Sequence, residues 1–143
     1  GRVIQPRVVA AVQQPGQEPE PTLPKIAQIG GIDPHHWDDI IHAMNQVIEG
    51  LRGTARSLRN DHYRIAGKTG TAQVFTVAQD EEYDEEGLAK KLRDHALFVA
   101  YAPIEDPQIA IAVVVENGGH GGSTAAPIAR TVMDAYLLRD EKS

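Results

Sequence analysis

The stretch Arg64 to Phe75, "RIAGKTGTAQVF", sets one lysine between two glycines and beside hydroxyls. Gly67-Lys68-Thr69 is how a phosphate-cradling loop ends, whereas Lys68-Thr69-Gly70 can begin a motif of serine acyl transfer. A phosphate loop needs a glycine five positions before the second one, so that backbone amides curl around the anion. That position is His62. The intervening residues favour a strand, and Gln73, Val74, Phe75 and Thr76 continue a β pattern where a helix should begin. The phosphate reading fails on all three counts.

Acyl transfer suits the same residues better. On an exposed edge strand, alternation puts Lys68 and Gly70 on one face and Thr69 and Thr71 on the other. A twist or bulge at Gly70 is expected to bring both hydroxyls to one cleft. Gly70 permits close approach of a substrate backbone. The Thr71 N–H is a candidate donor to a developing oxyanion, a contact worth about 3 kcal/mol in rate. Lys68 offers positive charge for a substrate carboxylate and for proton traffic around a nucleophile. A four-residue motif also recurs by chance, so the chemistry alone leaves this reading open.

The elements around the motif narrow it. At 143 residues the chain is about one domain with a modest core. Fourteen basic residues against 20 acidic ones leave a net charge of −6, which argues against a nucleic-acid partner. No apolar run approaches the roughly 18 residues of a membrane-spanning helix. Cysteine is absent, which excludes disulfides and thiolate zinc sites. The chain opens "GRVIQPRVVAAV", already strand-like and without an initiator methionine, and is read as a piece of something longer, with a tag remnant as the alternative.

Val3 to Val12 reads as an edge strand or extended segment broken by Pro6, and residues 13–24, with four prolines, as a polar loop. Asp33 caps a helix with Pro34 at its first position; Trp37, Ile40, Ile41, Met44, Val47 and Ile48 form its buried face, and Gly50 ends it. His62 to Phe75 is a strand, and 76–94 a long excursion with an acidic tip at 80–86, read as a solvated loop with a lid or partner contact as the alternative. His95 to Ala102 and Gln108 to Val115 are apolar strands of a hairpin. "ENGGHGG" is a flexible turn, and Ser123 or Thr124 caps a last helix burying Ile128, Val132, Ala135, Tyr136 and Leu138. The expected class is α+β: an antiparallel sheet flanked by helices.

"GKTGTAQV", "LRDHALFVAYAP" and "IAIAVVVENGGHGGSTAAPIARTVMDAYL", with the opening "GRVIQPRVV" and "MNQVIEG" followed by "GTA", resemble the C-terminal part of a class B penicillin-binding protein transpeptidase domain. The likeness covers nearly the whole chain, and order and spacing most resemble the elongation-type members. The lysine-threonine-glycine motif is an established signature of these enzymes and of class A β-lactamases. The resemblance implies a D,D-transpeptidase that cross-links peptidoglycan stem peptides through a serine acyl-enzyme, binds β-lactams, and needs no cofactor. It implies that Lys68 hydrogen-bonds a serine of the second motif, that Thr69 and Thr71 bind the terminal carboxylate of the D-Ala-D-Ala stem peptide with Gly70 part of the same substrate site, and that the Thr71 amide serves the oxyanion hole. It implies partners too: the N-terminal remainder of the same domain and membrane proteins of the elongation machinery, on the periplasmic side of the inner membrane.

The chain departs from the family pattern at the nucleophile. Its serines are Ser57, Ser123 and Ser143; none has lysine three residues later or asparagine two later. The fold is therefore expected to be incomplete here, with residues 1–143 a C-terminal segment and the nucleophile elsewhere. The rivals are a division-type transpeptidase or β-lactamase of the same fold, and a non-catalytic penicillin-sensing or scaffold domain. His35, His36 and His42 are read as helix surface rather than metal ligands, His120 as a solvated turn residue with the cleft border as the alternative, and Asp94-His95 as structural residues with a local hydrogen-bonded pair as the alternative.

Overall fold

A computed structural model describes residues 1–74 and 93–139. The expected excursion over 76–94, with its acidic tip, lies outside the described residues except for Arg93 and Asp94, and so do Phe75 and Ser143. The chain divides into two compact units, Gly1–Asp39 and Ile40–Ser143.

The first unit carries two short antiparallel ribbons. β1 (Arg2–Ile4) pairs with β4 (Ile26–Gln28), and β2 (Ala11–Val12) with β3 (Glu20–Pro21). The loop expected over 13–24 thus contains the whole of the short strand β3. Pro21 is tolerated because a two-stranded ribbon leaves every strand an edge, where a missing N–H costs little. Helix α1 (Pro34–Glu49) starts as its sequence dictates, the Asp33 carboxylate accepting from the His35 N–H at 2.9 Å.

The second unit holds a three-stranded antiparallel sheet in the order β5 (Ala66–Ala72), β6 (His95–Ala102), β7 (Ile109–Val115). On β6 the pleat puts Ala96, Phe98, Ala100 and Ala102 in the core, opposite Val115, Val113, Ile111 and Ile109 of β7. Helix α2 (Ala126–Leu137) packs on that face. Phe98, Ile48, Leu58, Ile65 and Met133 are the largest fully buried side chains, each contributing about 1.5–3 kcal/mol of burial.

Both helices differ from the periodicity reading in which face they bury. In α1 the buried residues are Asn45 and Ile48; Met44, Val47 and Trp37 are half-buried, and Ile40 and Ile41 are exposed. Asn45 enters the interior because its side-chain amide donates to the Ile65 carbonyl at 3.2 Å. In α2 the buried stripe is Ala126, Ala129 and Met133, while Ile128, Val132 and Tyr136 face outward. Alanines bring the helix close to the sheet, and this stripe admits two polar neighbours, Arg130 and Asp134, which satisfy each other. The Arg130 Nε donates to Asp134 at 2.7 Å and its Nη1 to the Leu58 carbonyl at 2.6 Å, while the buried Tyr63 hydroxyl donates to Asp134 at 2.5 Å.

Burial opposes ionisation of Asp134, but the Arg130 hydrogen bond, the Tyr63 hydrogen bond and the Arg130 and His62 charges outweigh it and hold the carboxyl below its usual range. Burial and then Asp134 itself raise the Tyr63 hydroxyl. The sign follows: Asp134 is more acidic folded than unfolded, so its contribution is full above the unfolded value near 4 and fades as pH falls through the folded one. At neutral pH Asp134→Asn is expected to destabilise the protein by about 1–2 kcal/mol, discounted for partial exposure. Melting temperatures of the two proteins should converge towards pH 3. A gap that persists unchanged to that pH contradicts the assignment.

Candidate active site

β5 carries the lysine-threonine-glycine-threonine run along an open sheet edge. Its register with β6 is unbroken, from Ala66 opposite Tyr101 to Ala72 opposite His95. Of the twist or bulge named for Gly70, the bulge is therefore absent, and none is needed. Simple alternation already places Thr69 and Thr71 on the same face, opposite Phe98 and Ala96. Both line one open cavity of about 390 Å³, together with Thr54, His120, Gly121, Gly122 and Ser123.

Lys68 lies on the other face of the strand, opposite Val99, and is exposed. Its ammonium donates to the Thr69 carbonyl at 2.6 Å. The structure thus brings Thr69 and Thr71 together in the cleft and leaves Lys68 at the strand edge beside them. Gly70 sits between the two hydroxyls, opposite Leu97.

The far wall is built by close backbone packing. The five residues Gly121–Ala125 form a wide π turn that leads into α2. A Cβ at Gly121 would fall 2.5 Å from the Gly70 carbonyl oxygen, and one at Gly122 would strike the Thr54 carbonyl. Only glycine lets this turn lie against the strand. Gly67 has a comparable role, since a Cβ there would sit 2.8 Å from the Phe98 ring. The expected Ser/Thr helix cap does not form. Ser123 instead donates to the His120 carbonyl at 3.2 Å and Thr124 to the Gly118 carbonyl at 2.8 Å, because the π turn directs both hydroxyls backward. His120 is exposed and borders the cleft, the alternative named for it above. The positive end of the helical segment also borders the cleft and favours an anion there.

Asp94 and His95 have the structural role read for them, each through a different partner. Asp94 is buried and accepts from the Val74 N–H at 3.2 Å, and its carbonyl accepts from the Gly119 N–H at 2.8 Å. The His95 Nδ1 accepts from the Asn117 N–H at 2.9 Å, where Asn117 takes a left-handed φ of 53°. Together they tie the end of β5 to the glycine turn and so hold the two walls of the cleft. Among the described residues no cluster of histidine and acidic side chains could hold a metal ion.

Two features escaped the sequence reading. Thr54 places its hydroxyl 3.0 Å from that of Thr69, and the Gly121-Gly122 pair forms a wall where a flexible turn was expected. "GTA" was a visible signal for the first. Contact across 15 and about 50 positions is not readable from local pattern.

What chemistry this arrangement offers is definite. Two hydroxyls, an edge-strand backbone and a helical N-terminus converge on a site suited to a carboxylate and an adjacent carbonyl. The family model for the penicillin binding protein transpeptidase domain matches residues 1–134. The peptidoglycan D,D-transpeptidase MrdA of Haemophilus influenzae is 41% identical over 137 residues, covering 95% of this chain and 20% of that protein. Among solved structures, Pseudomonas aeruginosa PBP2 in complex with WCK 5153 is similar with a TM-score of 0.66 and 45% identity, over 83% of this chain and 24% of that one. The Helicobacter pylori PBP2 in complex with MreC is similar at a TM-score of 0.58 and 28% identity, over 73% of this chain and 18% of that one. The chain spans about a fifth of the length of the curated relatives it matches.

Proposed function

This chain belongs to the penicillin binding protein transpeptidase domain family, and on that premise we propose that it is the C-terminal segment, residues 1–143, of a peptidoglycan D,D-transpeptidase. In this reading the chain supplies the carboxylate and oxyanion sites, and a serine outside residues 1–143 supplies the nucleophile. The serine oxygen attacks the carbonyl carbon of the penultimate D-alanine and forms a tetrahedral oxyanion. Collapse breaks the peptide bond, and the departing D-alanine amine takes a proton. An amine of a second stem peptide then attacks the ester carbonyl, forms the cross-link and returns the serine hydroxyl. A β-lactam follows the first half of this route, because its ring amide opens onto the serine.

Thr69 and Thr71 donate to the terminal carboxylate of the donor peptide or the antibiotic. The Thr71 N–H donates to the oxyanion, paired with the amide of the nucleophilic serine. Lys68, at the strand edge, reaches a serine of the second motif and carries the positive charge that proton transfer needs. The observation that carries this reading is the convergence of the Thr69 and Thr71 hydroxyls on one open cleft along the edge strand of the described sheet. Elongation-machinery membrane proteins are the proposed assembly partners, supported by the relative solved with MreC. The proposed location is the periplasmic side of the inner membrane, anchored by a segment outside these residues. No helix among the described residues is long and apolar enough to cross a membrane.

Thr71→Val tests the site, since it removes a hydroxyl at nearly constant volume on an exposed strand position. Losing a hydrogen bond to a charged group costs about 1.5–3 kcal/mol, so acylation by a penicillin in the full transpeptidase should fall roughly 10- to 100-fold. Unchanged acylation would exclude Thr71 from the carboxylate site.

A further inference from the structure

Thr54 stands outside the motif strand, and nothing above gives it a part in the chemistry. Its hydroxyl nevertheless lies 3.0 Å from that of Thr69, and both line the same cleft. We propose that Thr54 is a positioning residue: its hydroxyl donates to Thr69 and turns the Thr69 proton outward, towards the substrate carboxylate. This rests on the proposed carboxylate role of Thr69.

A threonine hydroxyl has one proton and two lone pairs. If Thr69 gave its proton to Thr54, an anion in the cleft would meet Thr69 lone pairs and be repelled. An anion therefore selects the opposite arrangement, with Thr54 donating and Thr69 accepting. A hydroxyl that accepts a hydrogen bond also becomes a better donor, so the chain Thr54 to Thr69 to carboxylate is cooperative.

The backbone holds Thr54 where this requires. The Gly53 N–H donates to the Gly50 carbonyl at 3.0 Å and the Ala55 N–H to the Val47 carbonyl at 3.0 Å, fixing both neighbours. Ala55 is buried, and the Gly122 backbone lies directly against the Thr54 carbonyl. The side chain itself is exposed to the cleft and bears no core load. A group clamped at the backbone and free at the hydroxyl can orient a neighbour without a further ordering cost.

The test uses the full transpeptidase carrying this chain, with a fluorescent penicillin and its carboxyl methyl ester as probes. Thr54→Val should lower the second-order acylation rate by the penicillin about three- to tenfold, the size expected for one neutral hydrogen bond. Thr54→Ser should restore it to within about twofold. On the ester, Thr54→Val and the parent protein should react alike, and adding Thr54→Val to Thr69→Val should cost nothing more. An equal loss on penicillin and ester, or no rescue by serine, overturns the proposal in favour of a loop-to-strand tie. If Thr69→Val impairs penicillin acylation while Thr54→Val does not, the Thr54 role fails alone. If Thr69→Val and Thr71→Val both leave it unchanged, the carboxylate reading fails and takes this one with it.

Discussion

Replacing Lys68 with alanine in the full transpeptidase is expected to lower acylation by a labelled penicillin by on the order of 10²- to 10⁴-fold, the range for a group that handles a proton in the transition state. The fold should barely register the change. Lys68 is exposed on an edge strand, and among the described residues its ammonium bonds to the carbonyl of its neighbour alone. Substitutions at such positions ordinarily shift stability by less than about 0.5 kcal/mol. The loss should exceed that of Thr71→Val, which removes one hydrogen bond to a carboxylate and leaves the charge balance around the nucleophile intact. Stopped-flow acylation alongside a melting curve separates the two effects. A rate within twofold of the parent, with an unchanged melting temperature, removes Lys68 from the chemistry.

Much of the scaffold was legible because local chemistry decided it. The apolar run His95 to Ala102 marks a strand, and the structure has β6 over those residues. Asp33 and Pro34 announce a helix start, and α1 begins there. The shared face of Thr69 and Thr71 also followed from period alone, without the bulge that was one of the two devices, twist or bulge, named to aim them.

What was missed depended on partners distant in sequence. Periodicity picks the bulkiest stripe of a helix, so Ile128, Val132 and Tyr136 were assigned to the core of α2. The helix instead buries alanines, because a close approach and the Tyr63–Asp134–Arg130 bonds favour that face. Asn45 was not among the buried positions read for α1, and it is admitted to the interior by the carbonyl of Ile65, 20 positions on. Gly121 and Gly122 looked like slack in a turn, yet they are the residues that let the cleft wall close on β5. The same long-range packing concealed Thr54.

The remaining prediction concerns the serines, where the expected effect is all or none. Ser57 lies exposed in a short 3₁₀ turn, Arg56–Leu58, outside the residues that line the cleft. Ser123 does face the cleft, but its hydroxyl donates to the His120 carbonyl, an acceptor that cannot take a proton as a general base does. Neither is followed by lysine three positions later. Activation of a serine needs a base within hydrogen-bond reach, and neither serine has one in the pattern its family uses. Residues 1–143 alone should therefore take no penicillin label. The isolated chain also exposes Ile40, Ile41, Ile128, Val132 and Tyr136, so the decisive form of the experiment uses the full protein.

The most direct measurement is peptide mapping of the full transpeptidase after brief treatment with a labelled penicillin. The account predicts a single labelled serine outside residues 1–143, with labelling depressed by Lys68→Ala and Thr71→Val inside them. Label on Ser57 or Ser123, or labelling indifferent to both substitutions, would contradict it.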